Sequence, residues 1–319
     1  MKNHPRIVFY GTPEIAVLSL QSLVDAGYFI TGVVTAPDRQ AGRGLKVHFS
    51  PVKKFALGHD IPLFQPLNLK DPAFHGQLRS LEPDLQVVVA FRMLPKEVWS
   101  LPLLGTFNLH ASLLPQYRGA APINWVLING ETETGVTTFF IDEKIDSGNL
   151  IFREMIEIQP EETAGELHDK LMVAGAGLVV KTVKAIESGN VPTLPQYEMQ
   201  GPDSGPLKIA PKIHKEDCRI NWDNEALTVF NFIRGMSPYP GAYTELIASD
   251  RSSFYLKVFR AQQEIIPHSL RPGVIVCDGK KYLKIAVRNG FIHLCEVQPA
   301  GRKAMNSLDF LKGYGMHFI

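Results

Sequence analysis

Apolar residues in the first half of this chain fall in short, dense runs punctuated by glycine and proline. Arg6–Tyr10 (RIVFY), Ile30–Thr35 and Leu85–Ala90 (LQVVVA) are rich in β-branched residues and too short for ordinary helices. They predict strands, the last of them buried on both faces. Behind Gly11-Thr12-Pro13, the spacing of Ile15, Leu18 and Leu23 predicts a helix, with Pro13 suited to its first turn. Pro51–Gly58 begins like a short helix and Leu63–Phe64 reads as a short strand. Pro122–Asn129 suggests a helix, and Gly135–Ile141 and Asn149–Ile156 further strands. Thr163–Ser188 is a long helical pattern that opens on a capping box, Thr163-x-x-Glu166. Strands alternating with helices predict an α/β fold with a doubly wound, mostly parallel sheet.

Thr106–Pro122 (TFNLHASLLPQYRGAAP) breaks this rhythm. Phe107 and Leu109 alternate with Asn108 and His110, so the amide and the imidazole share one face at the end of a strand. A turn at Ser112-Leu113-Leu114-Pro115 follows, then a flexible basic stretch, Tyr117-Arg118-Gly119.

The texture changes after Gly189. Asn190–Pro211 holds five prolines without periodicity and reads as a linker. Beyond it, Glu225–Arg234 looks helical. Ala242–Ile247, Phe254–Phe259, Gly273–Val276, Leu283–Val287 and Phe291–Val297 are short strand-like runs of the kind that build a small β-barrel. With 319 residues, two domains are expected, 1–189 and 211–319 joined by 190–210.

Composition narrows the picture. Lys and Arg (33) nearly balance Asp and Glu (32), so only local patches could favour a nucleic acid. The longest apolar runs fall short of a membrane span, and the opening MKNHPRIVFYGTP lacks the apolar core of a signal peptide. Cys218, Cys277 and Cys295 are odd in number and widely spaced, which suits neither a disulfide framework nor a zinc site. A reducing cytoplasm is expected.

Several segments could carry chemistry. Gly11-Thr12-Pro13 sits where α/β folds bind ligands, but one glycine is no dinucleotide fingerprint. Asn108 and His110 could hold a carbonyl oxygen as charge develops on it, and the histidine could move protons near neutral pH. Asp142 and Asp146, in DEKIDSG, could line a metal loop, although the spacing does not fit an EF-hand. Alternatively one carboxylate orients His110 or accepts a proton, with Asp142 a turn former. Asp38–Lys54 carries Arg39, Arg43, Lys46, Lys53 and Lys54 against one acid. A second basic cluster, Lys208, Lys212, Lys215 and Arg219, falls at the linker's end, and the two could form a phosphate-contacting track.

The pattern Asn-x-His-x-Ser-Leu-Leu-Pro-x-x-Arg-Gly, with Asp146 downstream, resembles the folate-dependent formyltransferases. The likeness extends through FYGTPEIAV, APDRQAGRG, SPVKKFA, GETETGVT, APKIHKEDCRINW and VQPAG, and is best with the branch acting on methionyl-tRNA. The resemblance implies a Rossmann-like catalytic domain followed by a C-terminal OB-like β-barrel that binds tRNA. It implies Asn108, His110 and Asp146 as the catalytic trio, and Ser112, Leu113, Leu114 and Pro115 as the loop for the co-substrate 10-formyltetrahydrofolate. Arg43 falls in the loop that in such enzymes engages the tRNA acceptor end, and the local charge of the two basic clusters adds Arg39, Lys46, Lys208, Lys212 and Lys215 as expected tRNA contacts. The expected enzyme is a cytoplasmic, metal-free monomer that formylates initiator methionyl-tRNA for translation initiation. The rival acceptor is a nucleotide-sugar amine, disfavoured by the basic loop and the lysine-rich linker end. A glycinamide ribonucleotide formyltransferase or a formyl hydrolase would leave the second domain without purpose, and the trio argues against a non-catalytic RNA-binding protein. One departure stands out. Where the family commonly reads Ala-Tyr-Gly, this chain has Ala90-Phe91-Arg92, one residue shorter, without the hydroxyl and without the glycine.

Overall fold

In a computed structural model of the chain, the described residues are 4–41, 46–199, 205–247 and 251–318, with side chains undescribed at 39–41 and 46–47. The chain packs as two compact units. One comprises Met1–Gly119, Thr134–Glu157 and His168–Ile209; the other comprises Ala120–Glu133, Ile158–Leu167 and Ala210–Ile319.

The first unit runs β1 (Ile7–Gly11), α1 (Glu14–Asp25), β2 (Ile30–Val34), β3 (Arg39–Ala41), β4 (Lys46–His48), α2 (Pro51–Gly58), β5 (Leu63–Phe64), α3 (Pro72–Ser80), β6 (Leu85–Val89), α4 (Lys96–Trp99), β7 (Thr106–His110) and β8 (Arg118–Gly119). After α5 (Pro122–Ile128) come β9 (Glu133–Phe140), β10 (Leu150–Glu157) and the long α6 (Ala164–Glu187). Seven strands form one sheet in the order β10-β9-β7-β6-β1-β2-β5. Neighbours from β5 to β7 are parallel, and β9 joins β7 antiparallel. Every residue of β1, β2 and β6 is buried, which is why these strands read as unbroken apolar runs rather than alternating ones.

Short helices are set by their starts. Ser50 caps α2 through a 3.0 Å bond from the Lys53 amide, with Pro51 in the first turn. Asp71 caps α3 in the same way, accepting from Ala73 at 2.9 Å ahead of Pro72. The apolar pattern does not reveal α3, because only Phe74 and Leu78 of its nine residues are buried.

The division between the units falls within β11 (Ile209–Ala210), and the second continues through α7 (Ala226–Met236), β12 (Ala242–Ile247), β13 (Ser253–Ile265), β14 (Ile275–Cys277), β15 (Leu283–Val287), β16 (Gly290–Pro299), β17 (Met305–Asn306) and α8 (Ser307–Tyr314). The sheet order is β12-β13-β16-β15-β14, antiparallel throughout, with β17 on β16. It forms the OB-like half-barrel, closed over an apolar cluster that includes Val229 and Ile233 of α7 and Phe310 of α8. β13 outruns its apolar stretch: past register shifts near Arg260, its pairing with β16 resumes and continues through Gln262, Gln263 and Glu264.

The capping box before α6 is formed. Glu166 accepts from the Thr163 amide at 2.9 Å and from its hydroxyl at 2.7 Å, while its own amide donates to the Thr163 hydroxyl at 3.3 Å. Arg260 adds a 2.5 Å contact to the other carboxylate oxygen. The Thr163 backbone bond first, then Arg260, bring the Glu166 carboxyl down from 4.5 to about 2. A depressed carboxyl stabilises the fold above its unfolded value and loses that contribution as pH falls through the folded one. Glu166→Gln is therefore expected to cost about 0.5–1 kcal/mol at neutral pH, the pair with Arg260 being half exposed. In urea titrations the gap from the parent protein should close between about pH 4.5 and pH 2. A gap unchanged across that window would show that the carboxylate form is not what the box uses.

Candidate active site

From β1 the chain winds outward through β2 to β5, then returns to β6 on the other side of β1. The carboxyl ends of β1 and β6 thus flank the point where strand order reverses, the usual ligand crevice of such sheets. Gly11 ends β1 as a packing requirement, since a Cβ there would lie 2.6 Å from Ala16 Cβ. Val88 pairs with Asn108 and Val89 with Leu109, so the exit of β6 runs beside His110. The next residue, Ala90, has φ 48°, a left-handed conformation that L-residues rarely take.

Asn108 and His110 share one face of β7, opposite Phe139 and Thr137 of β9. Asn108 is half-buried, and its carboxamide has no hydrogen-bond partner among the described residues. His110 is buried, and its Nε2 lies 2.9 Å from the Tyr117 carbonyl. A carbonyl only accepts, so neutral His110 carries its proton on Nε2 and keeps a lone pair at Nδ1. That Nδ1 lies 3.9 Å from Asp146 Oδ2, a charge contact too long for a direct hydrogen bond. Tyr117, read from sequence as part of a flexible stretch, is buried with φ 60°, and its amide donates to the Lys208 carbonyl at 2.7 Å.

The Ser112–Pro115 turn is held from both sides. The Ser112 hydroxyl donates to the Gln116 carbonyl at 2.6 Å. Thr137 donates to the Ser112 carbonyl at 2.6 Å and accepts from the Leu114 amide at 3.2 Å. Arg153 donates to the Leu114 carbonyl at 3.1 Å, and burial lowers its pKa. The Leu114–Pro115 bond is cis, and the Leu114 side chain is fully buried against Phe139 and Leu150. Leu114 thus serves to hold the turn, with no exposed surface and with its amide and carbonyl both engaged.

The two aspartates of DEKIDSG serve different partners. Asp142 accepts from the Lys144 amide and the Ser147 hydroxyl, both at 2.9 Å, as a turn former does. Asp146, with φ 50°, accepts from the Gly119 amide at 3.0 Å and faces His110. Among the described residues no group of three His, Cys, Asp or Glu is placed to hold a metal ion, and no helix is long and apolar enough to cross a membrane.

Residues 5–183 match the formyl transferase family, and residues 212–315 match the formyl transferase C-terminal domain. The chain belongs to the formyl transferase family. A methionyl-tRNA formyltransferase of Bacteroides fragilis is 50% identical over 313 residues, 98% of this chain and 96% of that protein. Another, of Azobacteroides pseudotrichonymphae, is 53% identical over 311 residues, 97% of this chain and 95% of that one. Among solved structures, HypX from Aquifex aeolicus in complex with tetrahydrofolic acid gives a TM-score of 0.65 at 18% identity; 98% of this chain spans about half (48%) of HypX. The sugar 3N-formyl transferase WlaRD gives 0.63 at 22% identity over 94% of this chain and 99% of its own.

This formyl transferase keeps its departure from the common family loop in a defined role. Arg92 donates to the Leu67 carbonyl at 3.0 Å and also to that of Pro66, and its guanidinium lies 5.7 Å from the Phe91 ring. Phe91 in turn rests 5.6 Å from the Tyr10 ring. The Arg92 side chain thereby ties the loop leaving β6 to the loop leaving β5.

The expected basic residues are placed unevenly. Arg43 lies outside the described residues. Arg39 and Lys46 stand in the β3–β4 hairpin, where Ala41 pairs with Lys46 and Arg39 with His48. The Lys208 amide donates to the Gln116 side chain at 2.8 Å, so its backbone braces the end of the Ser112–Pro115 turn. Lys212 and Lys215 are exposed in the second unit. Sequence reading missed Thr137, Arg153 and Gln196 because each supports the site through long-range contacts that leave no local pattern.

Proposed function

We infer that this enzyme transfers a formyl group to methionyl-tRNA. The observation that carries the reading is about 50% identity to methionyl-tRNA formyltransferases over nearly the whole of both chains. The donor is 10-formyltetrahydrofolate and the acceptor the α-amine of the initiator methionyl-tRNA. Support for formyl transfer comes from the half-buried Asn108 carboxamide beside His110, as a developing oxyanion requires, and support for a folate donor from the proteins of the same fold solved with tetrahydrofolate or its formyl derivative.

In this reading the neutral amine adds to the formyl carbon and a tetrahedral oxyanion forms. Asn108 donates to that oxygen. Nδ1 of His110 takes the proton released by the amine and, once protonated, can donate to the oxyanion. The Asp146 carboxylate, 3.9 Å away, stabilises the imidazolium. Collapse breaks the bond to the folate nitrogen, which takes up the proton held by His110 as it leaves and so returns the imidazole to its neutral form, and no covalent enzyme intermediate is needed. Each oxyanion donor of this kind is worth on the order of 3 kcal/mol of barrier. The tRNA would lie on Arg39, Arg43, Lys46, Lys208, Lys212 and Lys215, with 211–319 as the tRNA-binding domain after a catalytic 1–189 and a 190–210 linker. The enzyme would work as a cytoplasmic monomer.

A nucleotide-sugar amine is the alternative acceptor, because sugar formyltransferases such as WlaRD share the fold over nearly the whole chain. Identity there is only 22%, which favours the tRNA. An assay offering 10-formyltetrahydrofolate with charged initiator tRNA, and separately with a nucleotide-sugar amine, decides between them. Formylation of the tRNA that weakens steeply with added salt is expected. Turnover of the sugar amine alone would overturn the reading.

A further inference from the structure

We propose that Gln196 is a positioning residue for formyl transfer, fixing the backbone of the Asp146 loop and so the distance between its carboxylate and His110. The proposal rests on the functional reading above. Gln196 opens a 3₁₀ turn, Gln196–Met199, inside the segment that sequence alone reads as linker. It is 3% exposed. The segment is anchored one step earlier, where Leu194 and Leu150 exchange backbone hydrogen bonds of 2.8 and 3.0 Å.

The Gln196 amide is used at both ends. Its Nε2 donates to the carbonyls of Asp146 and Gly148, each at 2.9 Å. Its Oε1 accepts from Arg118 Nε at 3.1 Å and Nη2 at 2.6 Å. No other side chain fits this set. Two carbonyls demand a group with two N–H donors, while a guanidinium fork demands an acceptor in the same plane. A glutamate would keep the Arg118 contact but set a charged oxygen against two carbonyls, with nothing to donate.

Asp146 needs such a brace. Its φ of 50° is a left-handed conformation that is unfavourable for a non-glycine residue and persists where surrounding contacts hold it. Gln196 holds the backbone of that residue, and the amide of Gly119 holds its carboxylate at 3.0 Å. Arg118 and Gly119 are adjacent, so one short segment grips the aspartate twice, once through Gln196 and once directly. Gln196 itself touches none of the trio's reacting atoms. It acts through Asp146.

A double-mutant cycle tests this. Gln196→Ala, Asp146→Asn and the double variant are assayed with 10-formyltetrahydrofolate and charged tRNA, with melting temperature and tetrahydrofolate binding measured on each. Gln196→Ala is expected to lower kcat on the order of 10²-fold, the usual cost of misplacing a working group by about 1 Å, with KM values little changed. In the Asp146→Asn background the same change should cost less than about threefold, because there is no carboxylate left to place. Equal losses in both backgrounds would mean that Gln196 only supports the fold, and unchanged kcat in Gln196→Ala would remove its role. If Gln196→Ala does not fold, Gln196→Glu, which keeps the volume and the Arg118 contact, carries the same cycle. Wild-type turnover in Asp146→Asn would instead overturn the assignment of Asp146, a distinct failure.

Discussion

His110→Ala is expected to lower kcat about 10³-fold while tetrahydrofolate binding survives, an estimate that combines the cost of a lost proton-transfer group with that of a lost oxyanion donor. The side chain is buried and its ring is fixed by the Tyr117 carbonyl at 2.9 Å, so Nδ1 has one orientation toward Asp146. Water entering the space vacated by the ring would have no such fixed orientation. The loss should therefore fall on turnover rather than on KM, since the ring acts where charge develops and not on the bulk of either substrate. Steady-state kinetics with saturating charged tRNA and 10-formyltetrahydrofolate, together with calorimetric folate binding, separate the two quantities. Turnover within a few-fold of the parent enzyme would remove His110 from the chemistry and with it the reason for placing Asp146 beside it.

The second large effect is expected at Gly148. A Cβ built there would sit 1.7 Å from the Phe140 carbonyl oxygen and 2.9 Å from its carbon, both backbone atoms that cannot swing aside. Gly148→Ala must therefore push the loop off the end of β9, and Asp146 lies two residues upstream on that loop. The change also disturbs the Gly148 carbonyl that accepts from Gln196. A loss of about 1–3 kcal/mol in stability is expected from the overlap, and on the order of 10²-fold in kcat from the displaced carboxylate. Gly177→Ala is the matched control, for a Cβ there meets nothing within 4 Å and the residue lies inside α6. That variant should be neutral or slightly stabilised. If Gly148→Ala melts and turns over like the control, the loop is not held where the structure has it.

What could be read without coordinates follows from how local the physics is. β1 and β6 announce themselves because burial on both faces writes an apolar run into a few consecutive residues, and β7 because apolar and polar side chains alternate along it, although both of its faces are buried. The Thr163–Glu166 capping box is equally local, and its three hydrogen bonds are formed as the spacing requires. Asn108 and His110 were visible as a pair for the same reason. The bracing of the site was not. Gln196 lies 50 residues from Asp146 and 78 from Arg118 in sequence, and a glutamine among prolines carries no periodic signal. The left-handed turns at Ala90, Tyr117 and Asp146 were also hidden, because none of these residues is a glycine. Arg92 stands out in the sequence only as a departure from a family pattern, and its two carbonyl partners belong to a different loop.

The second unit is assembled from three stretches of chain, and that has a consequence for synthesis. Asn124 of α5 donates to the Gly235 carbonyl of α7 at 2.7 Å, and Val126 and Leu127 are buried. Residue Gly235 packs so closely on this helix that a Cβ there would lie 2.7 Å from Ile128. About 100 residues separate α5 from α7, which a ribosome needs roughly 5–20 s to add. Throughout that interval the apolar face of α5 has left the tunnel without the helix it packs against. The α5–α7 contact therefore forms only when α7 emerges, after every strand of the first unit's sheet has been synthesised.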